Sequence, residues 1–146
     1  MVLVILAIAA GAAVIASDGN DRDRATREAR RFASALEHAA VRAQVRAETL
    51  GASADGTAWR FWRRDPASGH WLPVADDEVL AAHALPDAMT LTPATYGGQT
   101  LEPNAIVPLR PTGRNEPFTF LLEARDTRVV LAADPLNRVA LSVASP

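Results

Sequence analysis

The chain lacks cysteine and lysine, and the absence of cysteine excludes several kinds of chemistry. Without cysteine there is no disulfide, no thiol nucleophile and no zinc–thiolate site. All fifteen basic residues are arginines, and seventeen acidic residues bring the net charge to -2. A balance so close to neutral gives no strong field that would point to nucleic acid or acidic lipid as a partner.

Catalytic and metal-binding patterns are also missing. The three histidines, His38, His70 and His83, are far apart, and none has a carboxylate or a second histidine at metal-ligand spacing. The acidic run 76–78 is interpreted as a solvated loop, because no glycine-bearing calcium loop surrounds it. There is no phosphate-binding glycine loop, no nucleophile elbow and no nucleophile with a partner base. The sequence therefore predicts a protein that is not an enzyme and that needs no cofactor or metal.

A long apolar run opens the sequence. Residues 1–16 contain no charged or polar side chain, and as a helix they would span roughly 24 Å, against a bilayer core of about 30 Å. Three interpretations remain: a cleaved signal peptide ending before Ser17, a permanent membrane helix, and a buried core helix. A signal peptide begins with positive charge, which is absent before Val2. Ala7 and Gly11 form a small-xxx-small surface that favours packing against other helices in lipid.

A second segment has helical periodicity. The segment from Ser17 to Asp21 is predicted to interrupt the helix, and Asp21 is predicted to cap a second helix that follows. From Arg22 onward the apolar positions recur at alternating steps of three and four, which indicates one buried stripe. These positions are Ala25, Ala29, Phe32, Leu36, Ala39, Ala40, Ala43, Ala47 and Leu50. Arginines and acids on the other faces, Arg42 among them, nearly cancel, so we interpret those faces as solvated rather than DNA-binding. Gly51 is predicted to end this helix.

After Gly51 the period changes to two, which is typical of strands. Trp59 and Phe61 alternate with outward arginines, the turn 65–69 predicts a hairpin, and Gly97-Gly98 predicts a second, tight hairpin. Pro108 predicts that the segment 104–109 lies at a sheet edge or ends early. Three further strands are predicted from the alternating runs 118–122, 128–132 and 138–143.

These elements predict an α+β fold in which a long N-terminal helix packs on an antiparallel β-sheet or β-sandwich head, the strands forming a meander. The expected division is a membrane or filament-core helix at 1–16, an amphipathic helix at 17–50 and a β head at 51–146. The residues expected to hold the helix to the sheet are Phe32, Leu36, Ala43, Trp59, Phe61, Phe118, Phe120, Val139 and Leu141.

The order of these features resembles the GspH/FimT family of minor pseudopilins and pilins. The segments that carry the resemblance are 1–11, 29–44, Trp59-Arg-Phe61, Gly69-His-Trp-Leu-Pro73, Leu85-Pro86, 106–113, Pro117-Phe118, 128–131 and Asn137-Arg-Val139. The order and spacing of the segments are closer to the type II secretion branch than to the pilus branch. The family's basic leader, its glycine cleavage site and its glutamate are not in the sequence, so Met1 is expected to fall just after that glutamate.

The resemblance implies a minor pseudopilin at or near the tip of a periplasmic pseudopilus, with a single inner-membrane helix and a periplasmic head. Its partners would be the other minor pseudopilins and the major pseudopilin. The residues expected to act in membrane and filament assembly are Val2, Leu3, Val4, Ile5, Leu6, Ile8, Gly11, Val14 and Ile15.

Two alternatives remain. One is a FimT-like minor pilin that binds DNA through Arg60, Arg63 and Arg64, whose interleaving with aromatics could stack bases. The other is a secreted binding domain freed from a signal peptide. The near-neutral charge makes nucleic acid the less favoured partner.

Overall fold

One long helix, α1, runs from Val2 to Arg46 without interruption. The computed structural model describes the backbone of residues 2–144 and the side chains of residues 20–144. The predicted break at 17–21 is wrong. Propagation of a helix adds one hydrogen bond per residue, and a glycine such as Gly19 costs only about 1 kcal/mol inside it. Asp21 consequently lies within α1 and does not cap its start.

The helix ends four residues before the predicted position. Ala47 adopts a left-handed conformation, with φ of 52°. The amide of Glu48 donates to the Ala43 carbonyl at 3.1 Å, and that of Ala47 donates to the Gln44 carbonyl at 3.4 Å. This pair of bonds is the Schellman arrangement, which is usually built on glycine. Ala47 therefore ends the helix, and the prediction that Gly51 does so is wrong.

Ten strands follow the helix within the described part of the chain. Their bounds are β1 Leu50–Ala54, β2 Ala58–Arg64, β3 Trp71–Pro73, β4 His83–Ala84, β5 Met89–Tyr96, β6 Gln99–Thr100, β7 Val107–Leu109, β8 Phe118–Ala124, β9 Thr127–Ala133 and β10 Val139–Ala144. They form two antiparallel sheets. The first has the order β3-β2-β1-β7, with β4 also paired to β2, and the second has the order β10-β9-β8-β5-β6.

The connectivity differs from a simple meander. After β4 the chain leaves the first sheet to form β5 and β6, returns as β7 to pair with β1, and then re-enters the second sheet as β8. Gly56 and Leu91 exchange backbone bonds of 3.0 Å in both directions and so tie the two sheets together. A periodicity of two identifies strands but carries no information on such crossovers, which explains why the meander prediction was wrong.

The local turn predictions are confirmed. Gly97 and Gly98 have φ of 58° and 80° and join β5 to β6. Pro108 lies in the middle of β7, an end strand of the first sheet.

Gly51 has a different role from the predicted one. A Cβ there would lie 2.5 Å from the Ile106 Cγ2 atom and 2.9 Å from the Trp71 ring, so its absence lets both side chains cover β1.

The helix stripe covers the inner faces of both sheets. Phe32 is fully buried, and its ring centroid lies 5.0 Å from Trp59, 6.0 Å from Phe61 and 4.9 Å from Phe120. The first two belong to β2 and the third to β8, so one helical side chain packs against both sheets. The α+β fold class, with an N-terminal helix on an antiparallel head, is confirmed.

The structure places the predicted helix–sheet residues as follows: Phe32, Leu36, Ala43, Trp59, Phe61, Phe118 and Phe120 are buried, and Val139 and Leu141 are half-buried against the same core.

Candidate assembly surface

The first candidate surface is the leading part of α1. The helix begins at Val2, well before Ala25, the first core residue among the described side chains, and at ~1.5 Å per residue this part is roughly 34 Å long. Among the described residues, no helix contains a stretch that is long and apolar enough to cross a membrane. The predicted assembly residues Val2, Leu3, Val4, Ile5, Leu6, Ile8, Gly11, Val14 and Ile15 have side chains outside the described set, and their role stays a prediction.

The position of the head on the helix is set by a buried arginine. The Arg42 side chain is only 6% exposed, and its guanidinium lies 2.8 Å from the Glu48 carboxylate, 3.0 Å from Asp76 and 3.3 Å from Asp77. Asp76 and Asp77 lie in the loop between β3 and β4, so this cluster fixes the loop against α1. The interpretation of Arg42 as a solvated helix residue is therefore wrong.

Electrostatics in this cluster favour the charged forms. Burial works against the charge on Arg42, but the hydrogen bonds that its guanidinium donates to Glu48 and Asp76 outweigh burial and raise the pKa of Arg42. Burial likewise works against ionisation of Asp77, but its hydrogen bond with His38 and its contact with Arg42 lower the pKa of Asp77. A buried cation with several carboxylate partners is costly to break, because each removed partner leaves a charge unpaired.

Two histidines join helix to head in the same way. The His38 Nε2 atom lies 2.9 Å from an Asp77 carboxylate oxygen, and the His83 Nε2 atom lies 2.9 Å from Glu28. The His83 ring also packs on Trp59 with centroids 4.3 Å apart. The carboxylates are 39 and 55 residues away in sequence, which is why local spacing could not reveal these pairs. Within residues 20–144, no group of three potential metal ligands comes together.

The three arginines of the DNA-binding alternative do not share one groove. Arg63 and Arg64 line a cleft of about 500 Å³ at the C-terminal end of α1, together with Glu48 and Asp65. Arg60 instead lines a separate groove beside Trp62, Asn104 and Ile106. Arg64 also lies over the Trp71 ring, 5.7 Å from its centroid. The arrangement therefore mixes acidic and basic groups in the cleft and does not form a continuous basic track.

An apolar surface lies at the C-terminal half of α1. Val41 and Val45 are one helical turn apart and are 58% and 79% exposed, and Leu136 in the β9–β10 turn is 55% exposed. Val41, Gln44 and Leu136 line a groove of about 180 Å³ between the helix and this turn. Single exposed apolar residues are common, but here Val41 and Leu136 line one groove and Val45 lies one helical turn away, so together they give a surface that a partner protein could cover. The sequence pattern missed it because Val41 and Val45 lie off the buried stripe.

Solved structures share this fold. The minor pseudopilin EpsH from the type 2 secretion system of Vibrio cholerae is similar with a TM-score of 0.63 at 18% identity, over 84% of this chain and 98% of that chain. The solution structure of Escherichia coli GspH is similar with a TM-score of 0.58 at 19% identity, over 85% of this chain and 89% of that chain. At these identities the likeness establishes the fold.

The sequence establishes the family. The family model described as type II transport protein GspH matches residues 28–139, which is well over half of the 146 residues. The chain therefore belongs to the GspH family. No protein of curated function matches its sequence significantly.

Proposed function

We propose that the protein is a minor pseudopilin of a type II secretion system. It would be a structural subunit at or near the tip of the periplasmic pseudopilus, where it assists the export of folded proteins across the outer membrane. The observation that carries the proposal is the family match over residues 28–139, which includes most of the buried stripe of α1 and reaches β10. The similar fold of a solved minor pseudopilin supports it.

The helix–head connection suits a filament subunit. Phe32 contacts both sheets, and Arg42 fixes the β3–β4 loop to the same helix, so several contacts hold the head to the C-terminal half of α1. If the leading part of α1 is bundled with other helices, the head then has a defined position above the bundle. In lipid such bundling replaces lipid contacts by helix contacts of similar strength, and small residues such as Ala7 and Gly11 allow close approach.

This function implies a location and a set of partners. The chain would be anchored in the bacterial inner membrane by one helix, with its C-terminal head in the periplasm. It would contact the other minor pseudopilins and the major pseudopilin of the same system. The exposed groove at Val41 and Leu136 is suited to such a contact, because these two apolar side chains are exposed on it and it lies beside the helix. The role is structural and calls for no catalysis and no cofactor.

A complementation experiment tests the proposal. In the organism that encodes the chain, deletion of the gene should stop the appearance of secreted enzymes in the medium, and the intact gene should restore it. A Leu36→Asp variant should fail, because Leu36 is 1% exposed and a buried unpaired carboxylate destabilises the head. The matched control is Ser34→Asp, an exposed position one half-turn away, which should restore secretion. Normal secretion in the deletion strain would overturn the proposal.

A further inference from the structure

The charged side chains between residues 20 and 31 of α1 are sorted by direction. The Glu28 carboxylate lies 2.9 Å from the His83 Nε2 atom, and the Asp21 carboxylate lies 4.0 Å from the Arg125 Nε atom, so both acids face the head. The arginines of the same segment are all exposed, and Asp23 is the one exposed acid among them. We name this basic surface the basic collar, and its residues are Arg22, Arg24, Arg27, Arg30 and Arg31.

The basic collar works against the stability of the helix. Arg24, Arg27 and Arg31 follow one another at steps of three and four, so like charges are neighbours on the helix surface and repel one another. Within residues 20–144, no carboxylate lies within ion-pair distance of a collar arginine. A positive surface that the head itself does not neutralise is suited to an anionic partner outside the head.

The basic collar lies on the same helix as the apolar run. Residues 1–17 carry no charge, and α1 is continuous from Val2 to Arg46. At ~1.5 Å per residue, the Cα atoms of Arg22, Arg24 and Arg27 lie roughly 9, 12 and 17 Å beyond residue 16. Helical side chains lean toward the N-terminus, and a long arginine carries its charge several ångströms in that direction, toward the apolar run.

These distances match the headgroup region of a membrane. That region is about 5–8 Å thick on each side of the hydrocarbon core. If the apolar run ends at the edge of the core, the guanidinium groups of Arg22 and Arg24 reach the headgroups. Arg27 then lies within the ~10 Å over which charges attract one another in dilute salt.

We propose that the basic collar binds the phosphate groups of anionic phospholipids where α1 leaves the membrane. The planar guanidinium group of arginine donates paired hydrogen bonds to phosphate oxygens. Such contacts fix the depth of α1 in the membrane and therefore the height of the head above it. The inference rests on one part of the proposed function, the anchoring of α1 in the membrane.

The distribution of charge along α1 favours lipid over other anions. Nucleic acid or an acidic protein could bind arginines anywhere on the exposed side of the helix. The collar arginines are instead confined to the turns next to the apolar run. Farther along α1, Arg42 is buried among carboxylates and Arg46 is paired with Asp76.

Lipid retention by the purified full chain tests the proposal. The chain in neutral detergent is mixed with equal amounts of phosphatidylglycerol and phosphatidylcholine, and the bound lipids are counted by native mass spectrometry. Phosphatidylglycerol should be retained in preference. Each arginine near an anionic surface contributes about fivefold to binding, so replacing Arg22, Arg24 and Arg27 together by glutamine should reduce the preference at least about tenfold. An unchanged preference in this variant would overturn the proposal.

A matched control removes the same charge from another part of the head. Replacing Arg60, Arg63 and Arg64 together by glutamine should leave the lipid preference unchanged, and an equal loss would show that only net charge matters. Depth supplies a second comparison. Arg24→Gln should reduce the preference more than Arg31→Gln, because residue 31 lies roughly 10 Å farther from the apolar run. Equal effects would contradict binding at a membrane surface, as would a DNA shift that the collar variant abolishes.

Carbonate washing of membranes from cells that produce the chain separates this inference from the proposed function. A chain that stays in the washed membranes but retains the two lipids equally would overturn lipid binding by the collar and leave the anchoring intact. A chain that is washed out would overturn the anchoring, and the collar proposal with it.

Discussion

Replacement of Phe32 by alanine should remove the contact that joins the helix to both sheets. Removing a buried phenylalanine ring typically costs about 3–5 kcal/mol. Phe32 is fully buried and contacts three aromatic rings. Each aromatic pair contributes roughly 0.5–1.5 kcal/mol beyond the effect of buried surface area, so the expected cost lies in the upper part of the range for a buried phenylalanine. Alanine is the better helix former and returns about 0.5 kcal/mol. The expected loss is therefore about 4 kcal/mol, a large fraction of the ~5–15 kcal/mol of a typical domain.

The assay is urea unfolding of the full chain in detergent, followed by tryptophan fluorescence, because the Trp59 ring lies 5.0 Å from the Phe32 ring. With a urea dependence of ~2 kcal/mol per molar, the midpoint should fall by about 2 M. Val45→Ala is the control, since Val45 is 79% exposed and its truncation should change stability by less than about 0.5 kcal/mol. A loss below about 1 kcal/mol for Phe32→Ala would refute the claim that this ring holds the two sheets to α1.

Three further predictions follow from the helix end, the buried arginine and the charge distribution. Ala47→Gly should raise the free energy of unfolding by about 1 kcal/mol, because φ of 52° is strained for alanine. The control Ser34→Gly, at an exposed helical site, should instead lower the free energy of unfolding, and thermal melts of the two variants should shift in opposite directions. Because the pKa of Asp77 is lowered in the folded state, stability should hold above its ordinary pKa of about 3.9 and fall as the pH drops through its lower folded value. Arg42→Met should reduce stability at pH 7 and make stability fall less steeply at low pH, as measured by urea midpoints from pH 7 to pH 2. An unchanged dependence of stability on pH would contradict the claim that Arg42 stabilises the ionised form of Asp77. The full chain should not shift a DNA duplex in a gel at roughly 50 mM salt, and a salt-sensitive shift would instead support the DNA-binding alternative.

Local patterns in the sequence were sufficient for most of the elements. The stripe at steps of three and four placed Phe32 and Leu36 on the buried side of a helix, and alternation placed Trp59 and Phe61 on the buried side of a strand. These signals work because a helix or strand repeats its faces at a fixed period, whatever the rest of the chain does. Gly97 and Gly98 marked their hairpin for an equally local reason, since their backbone angles favour glycine.

Local signals failed where a neighbour outside the segment decided the outcome. The sequence pattern predicted that Gly51 ends the helix. In the structure, the lack of a Cβ at Gly51 leaves room for the side chains of Ile106 and Trp71, which are distant in sequence. The residue that ends the helix, Ala47, is not a glycine, so no sequence pattern indicated its left-handed conformation. Arg42 looked solvated because its partners Asp76 and Asp77 are more than thirty residues away.

The sequence by itself determined the α+β class, the buried stripe of the helix, the positions of the hairpins and the resemblance to the family, because each depends on periodicity or on residues in a fixed order. Only the tertiary structure decided that the strands divide into two sheets with β7 crossing back to β1, that Arg42 is buried among carboxylates, and that Asp21 and Glu28 face the head while the neighbouring arginines are exposed. Those features depend on which segments meet in space. The contacts that stabilise these features form between residues that are distant in sequence, so no local pattern predicts them.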